Sequence, residues 1–406
     1  ISTFVDETCF DHNLAFHDRY FPQLAEWLEQ KGFRVIINPR FINRGRDVYN
    51  RNPGKFPCFL FPAQYYRIRD YLFAIWQACL ITSIQIGEVK LIGDINVVKI
   101  VVEEKKSSAF DCLEEIMSYN LPKRLVESGL HISISIDSFE NMIYEKMMIM
   151  GFRKYSSRTK LVGFQHAALY PLALCLYVVS EEIQNGLIPD LVVTNGVFFR
   201  EVLIQEGFPA DRLVVGPALR YSYLWDITSD LGNDEHKDID ILVPLPQLTG
   251  DALELLMKVI QAFASDYDLR IAVKPHPLVP LQRVLEGFGN LDLPARFHIF
   301  EGSMKEALRR TRLVISGSSN VLYDVVAAGI PVVIVGRNAA LDLNPLGFYP
   351  DFSVSHHLPE DIYNAAIKFL SFTDVELSEY RQKGREILRY SFNPPSEDCM
   401  NAFLAK

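Results

Sequence analysis

A chain of 406 residues exceeds what one hydrophobic core ordinarily serves, so two domains of roughly 200 residues are expected. With 49% hydrophobic residues, 22% charged residues and a mean hydropathy of +0.07, it is globular and not disordered. A formal charge of −9 argues against nucleic acid as the main partner, and no run reaches the ~18–20 apolar residues of a spanning helix.

The first half alternates β and α. Thr3–Asp6 reads as strand, Phe21–Lys31 as helix, Phe33–Asn38 and Cys58–Pro62 as strands, and Tyr65–Ile86 as a long helix. Val97–Glu103 then reads as strand, Ala109–Ser128 as helix, His131–Asp137 as strand and Glu140–Met150 as helix. Lys160–His166 and Leu191–Asn195 follow as strands, Val197–Gly207 as helix and Arg212–Val215 as a short strand. The polar, acidic stretch Ser229–Asp238 is the best linker.

In the second half the strands are Ile239–Pro244, Arg270–Lys274, Phe297–Phe300, Leu313–Ser316 and Val332–Val335. Between them lie the helical patterns Asp251–Ser265, Leu281–Phe288, Met304–Thr311 and Val321–Gly329. Helices near Pro359–Ser371 and Val375–Tyr390 and a last piece at Ser396–Ala405 complete the chain. Such alternation predicts an α/β protein of two Rossmann-like domains, 1–226 and 239–390, facing a cleft, with 391–406 crossing back to the first. The six cysteines (9, 58, 79, 112, 175 and 399) form no Cys-x-x-Cys pair and read as reduced, buried thiols. No signal peptide is read ahead of the first strand, so the expected location is cytoplasmic, with peripheral contact at the inner face of the inner membrane left open.

Two segments of the second half point to one anion site. Each is an apolar strand breaking at its carboxyl end into donor-rich residues, Ile-Ala-Val-Lys274-Pro-His276-Pro277 and Val-Ile-Ser-Gly-Ser318-Ser319-Asn320, and ligands of open α/β sheets sit at that end. His276 supplies a side-chain donor, and Ser318, Ser319 and Asn320 open a helix whose N–H groups favour phosphate. Lys274 adds a cation unless strand alternation turns it away. Ser-Ser-Asn is equally an ordinary N-cap. Gln247, after the first strand of this half, is placed to contact ribose or base. Ser303 opens either a phosphate-binding turn or a simple capped helix.

Transfer to a hydroxyl needs a base or a nucleophile from the facing half. Asp137 and Glu140, at a strand-to-helix turn, are the first candidates, and the same spacing is a near capping box. His166, after its own strand, is the second, with a satisfied structural histidine as the alternative. Asp6, His12 and Asn13 belong to a polar loop that either is a plain solvated surface loop, the more ordinary reading, or binds an acceptor sugar, and Arg220 suits a carboxylate or phosphate or equally braces the interdomain hinge. His12 and His17 find no convincing third ligand, so no metal is expected.

The His276-Pro277 and Ser318-Ser319 pairs resemble the nucleotide-binding motifs of bacterial GT-B glycosyltransferases that use CMP-activated acidic sugars. These are the sialyltransferases and Kdo transferases of capsule and lipopolysaccharide assembly. Gly163-Phe-Gln-His166, Val193-Thr-Asn-Gly196 and Ala327-Ala-Gly329-Ile-Pro331 also look like segments of surface-polysaccharide glycosyltransferases, so the resemblance spans roughly residues 130–340. It implies a GT-B fold, phosphate held by His276, Ser318 and Ser319, a CMP-sugar donor, a glycan or lipid-linked glycan acceptor, and neither metal nor cofactor. The acidic doublet before glycine that some sialyltransferases carry is absent, and no acid lies between Val243 and Asp251 where a retaining Kdo transferase would place its nucleophile. Three readings compete: a CDP-glycerol or CDP-ribitol phosphotransferase, a GT-B enzyme using a UDP- or GDP-sugar, and a non-catalytic protein, nucleotide-sugar epimerase-like or a sugar-binding regulator. The UDP/GDP class more often carries glutamate where Asp324 stands.

Overall fold

Two all-parallel six-stranded sheets account for the strands of the computed structural model, which describes residues 1–406 except 52–58, 89–95, 174–175, 230–236, 266–267, 288, 290–292, 339 and 406. The first holds β1 (Ser2–Val5), β2 (Asn38–Phe41), β3 (Ile134–Ser138), β4 (Lys160–Gln165), β5 (Leu191–Thr194) and β6 (Leu213–Val215) in the order β2-β1-β3-β4-β5-β6. The second holds β7 (Ile239–Pro244), β8 (Ile271–Lys274), β9 (Phe297–Ile299), β10 (Thr311–Ser316), β11 (Val332–Val335) and β12 (Ser355–His356) in the order β12-β11-β10-β7-β8-β9. Strands β5 and β7 are buried at every position, as continuous apolar runs covered on both faces must be. The chain reverses direction across the first sheet between β1 and β3 and across the second between β7 and β10. Those two points open crevices at the strands' carboxyl ends.

A shared core joins the sheets. Phe392 is buried with its ring centroid 4.5 Å from Tyr221, 4.8 Å from Tyr323 and 5.5 Å from Phe199, so it pins residues of both halves. The helix Asp374–Ser391 delivers it, crossing so near Gly196 that a Cβ there would lie 2.3 Å from the Ser391 carbonyl oxygen. Beyond it, Met400, Ala402 and Phe403 lie in the core of the first sheet with Phe21, Phe164 and Val193, and Glu397 accepts a 2.9 Å bond from the Trp27 indole.

Several elements differ from the sequence reading. The strand read at Phe33–Asn38 is instead β2 at Asn38–Phe41. Pro39 is tolerated there because β2 is an edge strand with one N–H side unpaired. Val97–Glu103, β-branched enough to read as strand, lies in the helix Val98–Asp111, where the Glu-Glu-Lys-Lys run and packing against the helix Ile68–Ser83 override β-propensity. The single helix read at Ala109–Ser128 is broken into that helix, Leu113–Ser118 and Leu121–Glu127. Of the strand read at Cys58–Pro62, Phe59 makes one bridge to Ile37, Pro62 opens a 3₁₀ turn, and Cys58 lies outside the described residues. So do Cys175 and residues 230–236 of the expected linker. The four described thiols are free, but only Cys9 is buried, while Cys79 is exposed and Cys112 and Cys399 are intermediate. No helix among the described residues is long and apolar enough to cross a membrane.

Candidate functional site

Strand register brings the first cluster together. Ser138 of β3 pairs with Phe164 of β4, so Glu140 and His166, each two residues further on, leave the sheet side by side. His166 Nε2 lies 3.1 Å from Glu140 Oε1, and Arg220 Nη1 lies 3.4 Å from His166 Nδ1. Because a guanidinium only donates, these partners assign the proton to Nε2, which donates to Glu140. His166 is 2% exposed, whereas the Glu140 side chain is 34% exposed. Glu140 is therefore the accessible member of the pair, and the histidine orients it from behind. Tyr144 donates to its second oxygen at 3.0 Å. Burial pushes the Glu140 carboxyl up, but the bonds from His166 and Tyr144 prevail and hold it below the usual glutamate range.

Asp137 is still within β3, and its carboxylate takes a 2.7 Å bond from Arg40. Burial raises its pKa, with Arg40 opposing. The helix read from Glu140 starts at Ile143 instead, so the near capping box at Asp137 does not form. Glu145 does the capping: its carboxylate oxygens accept the N–H groups of Glu140 at 2.8 Å and Asn141 at 3.0 Å, fixing a turn in which Asn141 has φ 54°. Burial, and then the Asp137 charge, push Glu145 up to about 8. Arg40, Tyr144 and Glu145 escaped the sequence reading. Arg40 stacks 3.5 Å from the Tyr144 ring, a contact that only the β1–β2 pairing creates.

The polar loop after β1 borders this cluster through Tyr20, whose ring lies 5.4 Å from His166 and 5.0 Å from the Arg220 guanidinium. Asp6 is buried and accepts the Thr8 N–H at 2.8 Å as a cap, and His12 and Asn13 are exposed on a turn held by Asp11. Among the described residues no three His, Cys, Asp or Glu side chains are grouped to hold a metal.

In the second domain, His276 Nδ1 accepts the Leu278 N–H at 3.2 Å, which places its proton on Nε2 and leaves that donor for a ligand. Burial lowers the pKa of this imidazole, favouring the neutral donor. Across β7, Ser318 donates to Asp342 at 2.7 Å and Ser319 accepts the Val321 N–H at 3.4 Å, while the N–H groups of Ser318, Ser319 and Asn320 have no partner among the described residues. Lys274 turns to the carbonyl of Gly302, and burial lowers its pKa, so its charge is spent bracing the β8–β9 edge. Ser303 is the N-cap of Met304–Arg309 and makes a full capping box with Glu306, the plainer of its two readings. Gln247 and Pro277 are exposed beside the β7 and β8 ends. Behind this edge, buried Lys258 binds the Gly336 carbonyl at 2.7 Å and Asn338 Oδ1 at 2.9 Å.

The two clusters meet at the seam. Arg220 precedes Tyr221, whose ring lies 6.3 Å from Tyr323, and Tyr323 sits in the first turn of the helix following Ser318-Ser319-Asn320.

No family model and no curated protein matches the chain in sequence. Solved structures do match in fold. A glycosyltransferase from Rickettsia africae superposes with a TM-score of 0.51 at 13% identity, over 100% of this chain and 98% of its own. The UDP-GlcNAc 2-epimerase of Methanocaldococcus jannaschii, in complex with UDP-GlcNAc and UDP, matches at 0.50 and 10%, over 96% and 98%. A Listeria monocytogenes protein assigned as a UDP-N-acetylglucosamine 2-epimerase matches at 0.50 and 12%, over 100% and 94%. The fold is GT-B, two Rossmann-like domains with parallel sheets.

Proposed function

We propose that this chain is a nucleotide-sugar enzyme that transfers a sugar from a uridine diphosphate donor to a hydroxyl. The observation that carries the reading is the line Glu140–His166–Arg220, an accessible ionised carboxylate oriented by a buried imidazole at the first sheet's crevice, next to the seam. In the transfer the acceptor oxygen forms the new bond to the anomeric carbon while Glu140 takes its proton. The bond from that carbon to the phosphate oxygen breaks, and the charge left on phosphate meets the Nε2–H of His276 and the N–H groups of Ser318 to Asn320. The bonds from His166 and Tyr144, with the charge of Arg40 behind them, keep Glu140 ionised as the base.

Strands β8 and β10 flank β7, so the two phosphate anchors are separated by two strand spacings, roughly 9.5 Å. A diphosphate spans that gap more fully than one phosphate, and a protein of the same fold holds UDP and UDP-GlcNAc. The second reading, a CMP-activated ulosonic acid donor, draws on the His-Pro and Ser-Ser pairs. Thermal stabilisation by UDP, CDP, CMP and GDP, repeated on His276→Ala, separates them. A shift with UDP that disappears in the variant is expected. A shift confined to CMP would transfer the assignment to the second reading, and no shift with any nucleotide would remove both.

A further inference from the structure

Arg220 is a cation with no answering carboxylate among the described residues. Its one polar contact there is the 3.4 Å approach to His166 Nδ1, which occupies only one of its N–H groups. The other arginines around the cluster are answered, Arg40 by Asp137 at 2.7 Å and Arg19 by Asp6 at 3.4 Å. Arg220 is nonetheless held in place: its guanidinium lies 5.0 Å from the Tyr20 ring, and that ring stands edge-on to the His166 imidazole. A half-buried guanidinium fixed against two rings, with most of its donors open, is suited to an oxyanion that it can pair bidentately.

The second domain's donor-rich edge lacks such a charge. The Nε2–H of His276 belongs to a neutral imidazole, the N–H groups of Ser318 to Asn320 are dipoles, and the Ser318 hydroxyl is turned to Asp342. The cations beside that edge are committed: Lys274 to the Gly302 carbonyl, and Arg337 to Asp251 and to the Leu341 carbonyl, both at 3.1 Å. Hydrogen bonds from a charged donor to phosphate are roughly twice as strong as neutral ones, so a departing diphosphate gains most from a cation reaching it from elsewhere. Arg220 is placed for that, because the next residue, Tyr221, packs on Tyr323 at 6.3 Å, about one helical turn beyond Asn320.

We infer that Arg220 grips the diphosphate of the donor from the first domain, opposite His276 and Ser318 to Asn320, an inference that rests on the diphosphate donor reading above. His166 then separates two working groups, with Glu140 at its Nε2 and Arg220 at its Nδ1. The acceptor oxygen gives its proton to Glu140 as it bonds to the anomeric carbon. The electron pair of the breaking carbon–oxygen bond stays on the phosphate oxygen, where the guanidinium stabilises it.

Calorimetric titration with UDP, uridine and inorganic pyrophosphate, on the intact wild type and on Arg220→Gln and Arg220→Lys, tests the inference. Glutamine keeps a donor for His166 Nδ1 and removes the charge, whereas lysine keeps the charge and loses bidentate pairing. Arg220→Gln should weaken UDP and pyrophosphate roughly 10-fold or more and leave uridine unchanged, with Arg220→Lys in between. Transfer by Arg220→Gln should fall about 10²–10³-fold. Undiminished UDP and pyrophosphate affinity in Arg220→Gln, or equal weakening of UDP and uridine, overturns the inference while leaving the donor reading intact, and Arg220 is then a brace of the seam. Unchanged UDP affinity with a raised KM for the acceptor would instead reassign the arginine to an anionic group of the acceptor. Pyrophosphate binding that depends on Arg220 in a protein that binds no uridine compound would remove the uridine reading alone and keep the grip. A wild type that binds neither UDP nor pyrophosphate would remove both.

Discussion

Tyr223 of the first domain donates a 2.6 Å hydrogen bond to Asp324 of the second, across the seam and one turn beyond the Ser318-Ser319-Asn320 edge. The Asp324 carboxylate, near the start of its helix, is thereby engaged by the other domain. The contact links the position of the Ser318-Ser319-Asn320 edge to that of Arg220, three residues before Tyr223.

Burial pushes Asp324 up to about 7, with the Tyr223 bond opposing. An exposed aspartate titrates near ~3.9, so between these values the folded chain binds the extra proton. Stability from this group is complete below the lower value and is lost as pH rises through the upper one. Asp324→Asn keeps an acceptor for Tyr223 and removes the titration. The variant and wild type should melt alike near pH ~4, and the variant should melt higher near pH ~8. Equal melting temperatures at both ends would show that the seam does not feel this proton. Glu145, raised to about 8, adds a slope of the same sign to both proteins, so the difference between them is the readout.

Glu140→Gln should lower transfer by about 10²–10⁴-fold, the usual worth of a general base, while leaving the melting temperature nearly unchanged because the side chain is partly exposed. His166→Gln should cost less in kcat, since the imidazole acts through Glu140. Steady-state kinetics on the donor identified by nucleotide stabilisation measures both. An active Glu140→Gln enzyme would remove the carboxylate from the mechanism.

Lys258 is 5% exposed and binds Gly336, Asn338 and, at 2.7 Å, Glu254. Lys258→Met leaves those acceptors without their cation and should destabilise the fold by about 3–5 kcal/mol in urea unfolding. A loss under about 1 kcal/mol would mean that the network exchanges with water and contributes no more than a surface pair.

Much of the second domain was legible because its strands are short apolar runs bounded by turn residues. β7 and β11 fall on the residues the pattern predicts, and His276 and Ser318 to Asn320 stand at carboxyl edges as expected. The first domain was harder to read. Its described residues between β2 and β3 are mostly helical, and the β-branched run from Val98 to Val102 adopts helix in an element that packs on the helix Ile68–Ser83. At Ser303 the spacing fits either a cap or a phosphate turn, and only the hydroxyl's bond to the Glu306 N–H distinguishes them.

By itself the sequence determined the alternation of elements, hence two parallel sheets, and the polar residues that must leave them at the carboxyl ends, because side-chain periodicity and chain breaks are local properties. Tertiary structure alone decided which of those residues act together. Whether Glu140 or Asp137 is the accessible carboxylate depends on the β3–β4 register and on Arg40 from another strand. The proton position on His166 depends on Arg220, 54 residues away. Such choices are made by pairing and burial between distant segments, and no window of the chain contains both partners.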